Sequence, residues 1–183
     1  MTGQTNQTTF AWVYVTHDGG KTWQRERLSL PPEKITPPIL VTPPSFVGDQ
    51  DGFLWVNFDV PRRGGPVLEL YTTQDGGATW QDRSVVPEVF PGAIGTLSFG
   101  DGSHGWVSAQ GETAPALWMT SDGGQQWSPI DASSNLIGIG QLDFISETTG
   151  WALSIPEGVQ SQALLQTEDG GHTWARITYR ISG

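Results

Sequence analysis

Cysteine is absent from this chain of 183 residues, so no disulfide framework and no thiolate chemistry are available. Basic residues are scarce: nine Lys and Arg stand against nineteen Asp and Glu, for a net charge of −10. Phosphate backbones and anionic lipid surfaces are held by basic patches, so this balance argues against nucleic acid and against anionic membranes as partners. It favours a soluble surface. No apolar run approaches the roughly 20 residues a membrane helix needs, and membrane insertion is not expected. The polar stretch 1–9 has none of the features of a secretory leader. Stretches with helical period and good caps are missing too. Glycine and proline, by contrast, number 24 and 13 and suit a chain of many turns.

What is present in quantity is tryptophan, and it is patterned. One phrase, T-x-D-G-G-x-(T/Q)-W, occurs four times: Thr16–Trp23, Thr73–Trp80, Thr120–Trp127 and Thr167–Trp174. Its aspartates Asp18, Asp75, Asp122 and Asp169 are spaced by 57, 47 and 47 positions. A period in that range marks a repeat architecture. Asp-Gly between two strand-like runs is a hairpin signal, with glycine supplying positive φ and the Asp carboxylate accepting from backbone N–H groups of its own turn. The closing Trp23, Trp80, Trp127 and Trp174 are expected to bury their rings against the same structure.

A second phrase, F-x5-G-(F/W), precedes the first in three of the four units: Phe46–Phe53, Phe99–Trp106 and Phe144–Trp151. Each copy ends one apolar run and opens another. The unit is therefore strand, G-(F/W) turn, strand, variable loop, strand, Asp turn, strand. Four antiparallel strands in about 45 residues is the size of one β-propeller blade. The expectation is an all-β protein of about three and a half blades in one partial propeller. Residues 1–30 form a half blade, and 31–90, 91–133 and 134–183 form full ones.

The T-x-D-G-G-x-T-W phrase resembles the Asp-box, or bacterial neuraminidase repeat, of sialidases, sortilin-type receptors, xyloglucanases and photosystem II assembly factors. The added G-(F/W) phrase most resembles the photosystem assembly-factor-like branch, with the sortilin-like proteins beside it. The resemblance covers the chain from about residue 10 to 181. It implies that the Asp-box is structural and lies away from the central site. Through the bacterial surface and secreted members of that branch, it also implies an extracellular, periplasmic or cell-surface setting.

Within each meander the Asp turn and the G-(F/W) turn fall at the same end. The connections at the other end carry the variable sequence, where ligand contacts commonly sit. Arg62 and Arg63, in Val60–Pro66, are the one basic spot and can hold a carboxylate or phosphate in bidentate fashion. Glu88 and Glu112 share that end. These four are the candidate ligand-binding residues, set against a plain reading as solvated loop tips.

Chemistry is harder to find. The sialidase resemblance calls for an arginine cluster, an Arg-Ile-Pro phrase and a Tyr nucleophile. The cluster and the phrase are missing, and Tyr14, Tyr71 and Tyr179 all neighbour Asp turns. No carboxylate pair is recognisable as that of a glycosidase. Gly48–Gly52 and Gly100–Gly102 look superficially like calcium loops but lack the spacing, and His17, His104 and His172 are far apart. Neither a metal nor a cofactor is expected, and no catalytic residue is assigned.

The expected function is a non-catalytic binding or assembly module holding a protein or glycan partner on its loop face. The alternative is a portion of a carbohydrate-active enzyme. Three and a half blades do not close an ordinary ring. The chain is read as part of a larger propeller, as half of a homodimeric ring, or as a four-blade ring with a defective first blade.

Overall fold

The computed structural model describes residues 11–28, 38–41, 43–60, 65–83, 93–110, 117–131, 136–155 and 162–178. Among them there are fifteen strands and no helix, and hence no helix long and apolar enough to cross a membrane. The chain divides into two compact units, Met1–Ser84 and Val85–Gly183.

The first unit opens with a two-stranded sheet, β1 (Ala11–Val15) against β2 (Gln24–Leu28), joined by the first Asp turn. A full blade follows. Its first strand is split into β3 (Pro38–Val41) and β4 (Ser45–Val47), with Pro43-Pro44 in the break. Proline has no N–H to give the ladder, so the pairing is interrupted there. Both pieces pair with β5 (Asp51–Val60). β5 pairs with β6 (Gly65–Thr73), and β6 with β7 (Gln81–Asp82). Val13, Val15, Leu28, Leu54, Val56, Tyr71 and Trp80 form the core of this unit.

The second unit holds two four-stranded antiparallel sheets. One runs β8 (Ala93–Phe99), β9 (Gly105–Gln110), β10 (Leu117–Thr120), β11 (Ser128–Ile130). The other runs β12 (Ile137–Phe144), β13 (Gly150–Ile155), β14 (Ala163–Thr167), β15 (Ala175–Arg176). Strands alternate, as a half-buried strand must: β14 reads buried, intermediate, buried, intermediate, buried. The core draws on both sheets, with Trp106, Leu117 and Ile130 from one and Leu142, Phe144, Leu165 and Trp174 from the other.

The opening strand of each full blade carries an irregularity, between Pro38 and Leu40, Ile94 and Leu97, and Ile137 and Gln141. In the second of these the Ser108 Oγ accepts from Thr96 N–H at 2.9 Å and repairs the ladder. The architecture is thus all-β: propeller blades of four antiparallel strands, about three and a half of them.

Candidate functional site

Each Asp turn is a closed hydrogen-bond ring. At Asp75 the Thr73 hydroxyl donates to Oδ1 at 2.6 Å, Thr79 N–H donates to Oδ1 at 2.8 Å, and the Thr79 hydroxyl donates to Oδ2 at 2.6 Å. Thr73 Oγ1 in turn accepts from Gly77 N–H at 3.0 Å. Asp18 and Asp169 repeat the pattern with Thr22 and Thr173. Asp122 departs from it because Gln126 has no hydroxyl. There the N–H groups of Gln125 and Gln126 both donate to Oδ1 at 2.9 Å, and Gln125 Nε2 donates to the Asp122 carbonyl at 2.9 Å. The glycine pair makes the ring possible: Gly123 and Gly124 sit at φ 70 and 89, where a Cβ is strained.

These donors hold the carboxylates ionised. Asp18 is lowered to about 2, chiefly by the Thr22 hydroxyl and N–H, and Asp75 to about 2, chiefly by the Thr73 and Thr79 hydroxyls. At Asp122 and Asp169 burial pushes the other way, yet the hydrogen bonds outweigh it and both are lowered. A carboxylate so committed is a poor proton donor or metal ligand. Asp101, in one of the calcium-like loops, is likewise engaged by the N–H groups of Ser103 and His104 and by the His104 ring at 2.8 Å. Among the described residues no group of three or more His, Asp or Glu is placed to hold a metal ion.

The G-(F/W) turn is built onto the Asp turn of its own blade. Gly76 N–H donates to the Gln50 carbonyl at 3.0 Å, Gly123 to Ser103 at 2.9 Å and Gly170 to Thr148 at 2.9 Å. The Phe of the phrase meets the Asp-box Trp edge to face: Phe46 with Trp80 and Phe99 with Trp127, both at 6.2 Å, and Phe144 with Trp174 at 6.0 Å. The invariant spacing to glycine has a steric cause. A Cβ on Gly52, Gly105 or Gly150 would come within 2.7, 2.5 or 2.6 Å of the ring of Phe46, Phe99 or Phe144.

In the second unit the aromatic after that glycine, Trp106, locks one blade to the next. Trp106 stacks on Phe144 at 3.6 Å with an interplanar angle of 4°. Its Nε1–H donates to the Gly170 carbonyl at 2.8 Å. Ser98 Oγ accepts from Phe144 N–H at 2.7 Å beside it. The sequence pattern marked Trp106 as part of a turn, and this bridging role was not read from it; the signal is an aromatic at a fixed place in the phrase.

Three Asp-box tryptophans are buried, Trp80, Trp127 and Trp174. Trp23 is not: it is 59% exposed, against the expectation of a buried ring. Among the described residues its two-stranded sheet has no strand pair bearing a Phe to cover it. A cleft of ≈ 630 Å³ opens beside it, lined by Tyr14, Gly19, Trp23, Phe46, Gln50 and Gly76 among others. This cleft was not anticipated from the sequence. The four candidate ligand residues Arg62, Arg63, Glu88 and Glu112 all lie outside the described residues.

Geometry and pattern together define the chain as an Asp-box β-propeller protein. Residues 14–25 match the BNR/Asp-box repeat family. The chain is 32% identical over 124 residues to the photosystem II assembly lipoprotein Ycf48 of Synechococcus sp. (strain CC9902), covering 65% of this chain and 34% of that protein. It is 31% identical over 156 residues to the chloroplastic photosystem II stability/assembly factor HCF136 of Arabidopsis thaliana, covering 81% of this chain and 33% of that protein. The chain thus spans about a third of the length of these curated relatives.

Among solved structures, Ycf48 bound to D1 peptide matches 73% of this chain and 38% of that one at 25% identity and TM-score 0.49. The GH74 xyloglucanase of Xanthomonas campestris matches 100% of this chain and 29% of that one at 17% identity and TM-score 0.56, a likeness of fold alone. The curated relatives fall in the photosystem II assembly-factor branch that the G-(F/W) phrase indicated. They overturn the expected extracellular, periplasmic or cell-surface setting, because both are factors of photosystem assembly and one is chloroplastic. They lend no support to a glycan ligand or to a homodimer.

Proposed function

We propose that this chain is a non-catalytic propeller segment that binds a protein partner and serves the assembly of a photosystem II-type complex. The observation that carries the reading is the sequence likeness to two photosystem II assembly factors, which runs through 65% and 81% of the chain. The commitment of the repeat aspartates to their own turns supports a scaffold role for the Asp-box. The partner would be met on the loop end of the blades, with Arg62 and Arg63 engaging carboxylates and Glu88 and Glu112 flanking them.

The test titrates labelled D1 peptide against the protein and against a variant with Arg62→Ala and Arg63→Ala. Saturable binding that weakens about tenfold in the variant, the order expected for loss of one charge-assisted contact, supports the reading. Absence of peptide binding alongside binding or cleavage of a xyloglucan oligosaccharide would overturn it.

A further inference from the structure

Asp-Gly is a peptide bond open to internal rearrangement, because glycine puts no Cβ in front of the nitrogen that attacks the Asp side chain. This chain has six, at Asp18, Asp51, Asp75, Asp101, Asp122 and Asp169. In the Asp turns the carboxyl is drawn toward N–H groups three or four residues on. At Asp18, Asp75 and Asp169 a Thr hydroxyl also holds Oδ2. In the full blades the attacking N–H is committed as well: those of Gly76, Gly123 and Gly170 donate to carbonyls of the G-(F/W) turns. Gly52 lies inside β5, paired with Phe46 on one side and Thr73 on the other.

Asp101 is arranged differently. Its Oδ1 accepts from the N–H groups of Ser103 and His104, both at 2.7 Å, which folds the carboxyl back over the Gly102 peptide. Gly102 N–H has no acceptor among the described residues. Gly100 N–H donates to the His104 carbonyl at 3.0 Å and closes the turn around these groups. The other oxygen, Oδ2, lies 2.8 Å from His104 Nδ1. A carboxylate only accepts, so Nδ1 carries a proton. Across the blade boundary, His104 Nε2 faces Glu147 Oε2 at 3.7 Å, so the imidazolium form meets a carboxylate at each nitrogen.

We propose that Asp101–Gly102 is a self-modifying site that isomerises to isoaspartate, with His104 as its general acid. An ionised carboxyl resists attack by an amide, and the imidazolium supplies the proton that removes this barrier. The Gly102 nitrogen bonds to Asp101 Cγ and the Cγ–Oδ2 bond breaks. Oδ2 leaves as water, taking one proton from His104 and one from the Gly102 N–H. Water then opens the succinimide. Cleavage at Cγ restores aspartate, and cleavage at the main-chain carbonyl leaves the chain running through the side chain. The fixed turn supplies the proximity, and water is the only co-reactant. The product adds one carbon to a backbone with no room for it. A Cβ on Gly100 would already come within 2.5 Å of the Ser146 carbonyl oxygen, and the Ser103 carbonyl must reach Gly123 N–H at 2.9 Å. Isomerisation therefore loosens the contact between the β8–β9 and β12–β13 turns. The reaction is internal to the chain and independent of the partner proposed above.

The experiment incubates the folded protein in heavy-oxygen water, digests it in ordinary water and reads each Asp-Gly peptide by mass spectrometry. Every passage through a succinimide leaves one heavy oxygen, whichever carboxyl forms. Asp101 is expected to take up label several-fold faster than Asp51, Asp75, Asp122 or Asp169, and part of it is expected to elute as isoaspartate. His104→Gln keeps an N–H for Oδ2 but brings no transferable proton. It is expected to slow labelling at Asp101 several-fold while Tm and the labelling of Asp75 and Asp169 stay at the parent's values. Gly102→Ala screens the attacking nitrogen and is expected to slow it too, with His104 in place. In denaturant the preference for Asp101 is expected to vanish, since the turn that creates it is gone. Labelling spread evenly over the folded protein's Asp-Gly bonds would overturn the proposal. So would a rate at Asp101 that His104→Gln leaves unchanged, or a preference that survives unfolding.

Discussion

Asp122 illustrates how much of a repeat can rest on one carboxylate. Its Oδ1 accepts from the N–H groups of Gln125 and Gln126 and from the Thr120 hydroxyl. Asp122→Ala leaves those donors to water or to nothing, and the expected cost is roughly 1–3 kcal/mol, read as a lower Tm with the blade otherwise intact. An unchanged melting curve would refute a structural role for this turn. Acid probes the same chemistry. Asp18 and Asp75 are lowered from 3.8 to about 2 in the folded chain. A depressed folded value adds stability above the unfolded value and loses it as pH falls through the folded one. Tm is therefore expected to be level above about pH 5 and to fall between about pH 4 and 2. Asp75→Asn should flatten part of that fall; a slope identical to the parent's would place the acid sensitivity elsewhere.

At the scale of the element, the two phrases are one object. Phe144 lies over Gly150 and against Trp174, and the Gly170 N–H reaches the Thr148 carbonyl of the turn between them. Gly150→Ala would drive a Cβ to 2.6 Å from the Phe144 ring. The ring is held on its other face by Trp106, so it cannot yield freely, and a loss of roughly 1–3 kcal/mol is expected in chemical denaturation. Gly138→Ala is the contrasting control, since its Cβ would meet open space and only its φ of 63 opposes the change. The Asp turn was legible in the sequence because its chemistry is local: every donor to Asp75 lies within four residues of it. Blade strands were legible for the same reason, through alternation and turn punctuation. What joins Trp106 to Gly170 spans 64 residues, and no repeat phrase records a partner at that separation. The candidate site fared worst. Arg62, Arg63, Glu88 and Glu112 stand in connections that do not repeat, so neither spacing nor periodicity could fix their neighbours. The cleft at Trp23 was hidden differently: the phrase that names a buried Trp is intact there, and yet the ring is exposed among the described residues.

At the scale of the whole molecule, each unit has its own core, and in the second unit the Trp106 indole joins the two sheets through both its ring and its N–H. Trp106 is fully buried, belongs to β9, and makes both its ring stack and its hydrogen bond with the neighbouring sheet. Repeat proteins derive stability from such nearest-neighbour interfaces as much as from the repeats themselves. Trp106→Ala should therefore cost roughly 3–5 kcal/mol, the range for deleting a large buried aromatic. Its effect should also be shared. Native-state hydrogen exchange is expected to accelerate together in β8, β9, β12 and β13, because removing the ring exposes Phe144 and frees the Gly170 carbonyl at once. Amides of β5 and β6, which pack in the other core, are expected to keep the parent's exchange rates. Trp106→Phe separates the two contributions: it keeps a stacking face and loses the N–H, and should fall between parent and alanine variant by roughly the 1–3 kcal/mol of one unsatisfied buried acceptor. Exchange that rises in β9 alone would mean the two sheets open independently, and the second unit would then be two blades side by side with no common cooperative core.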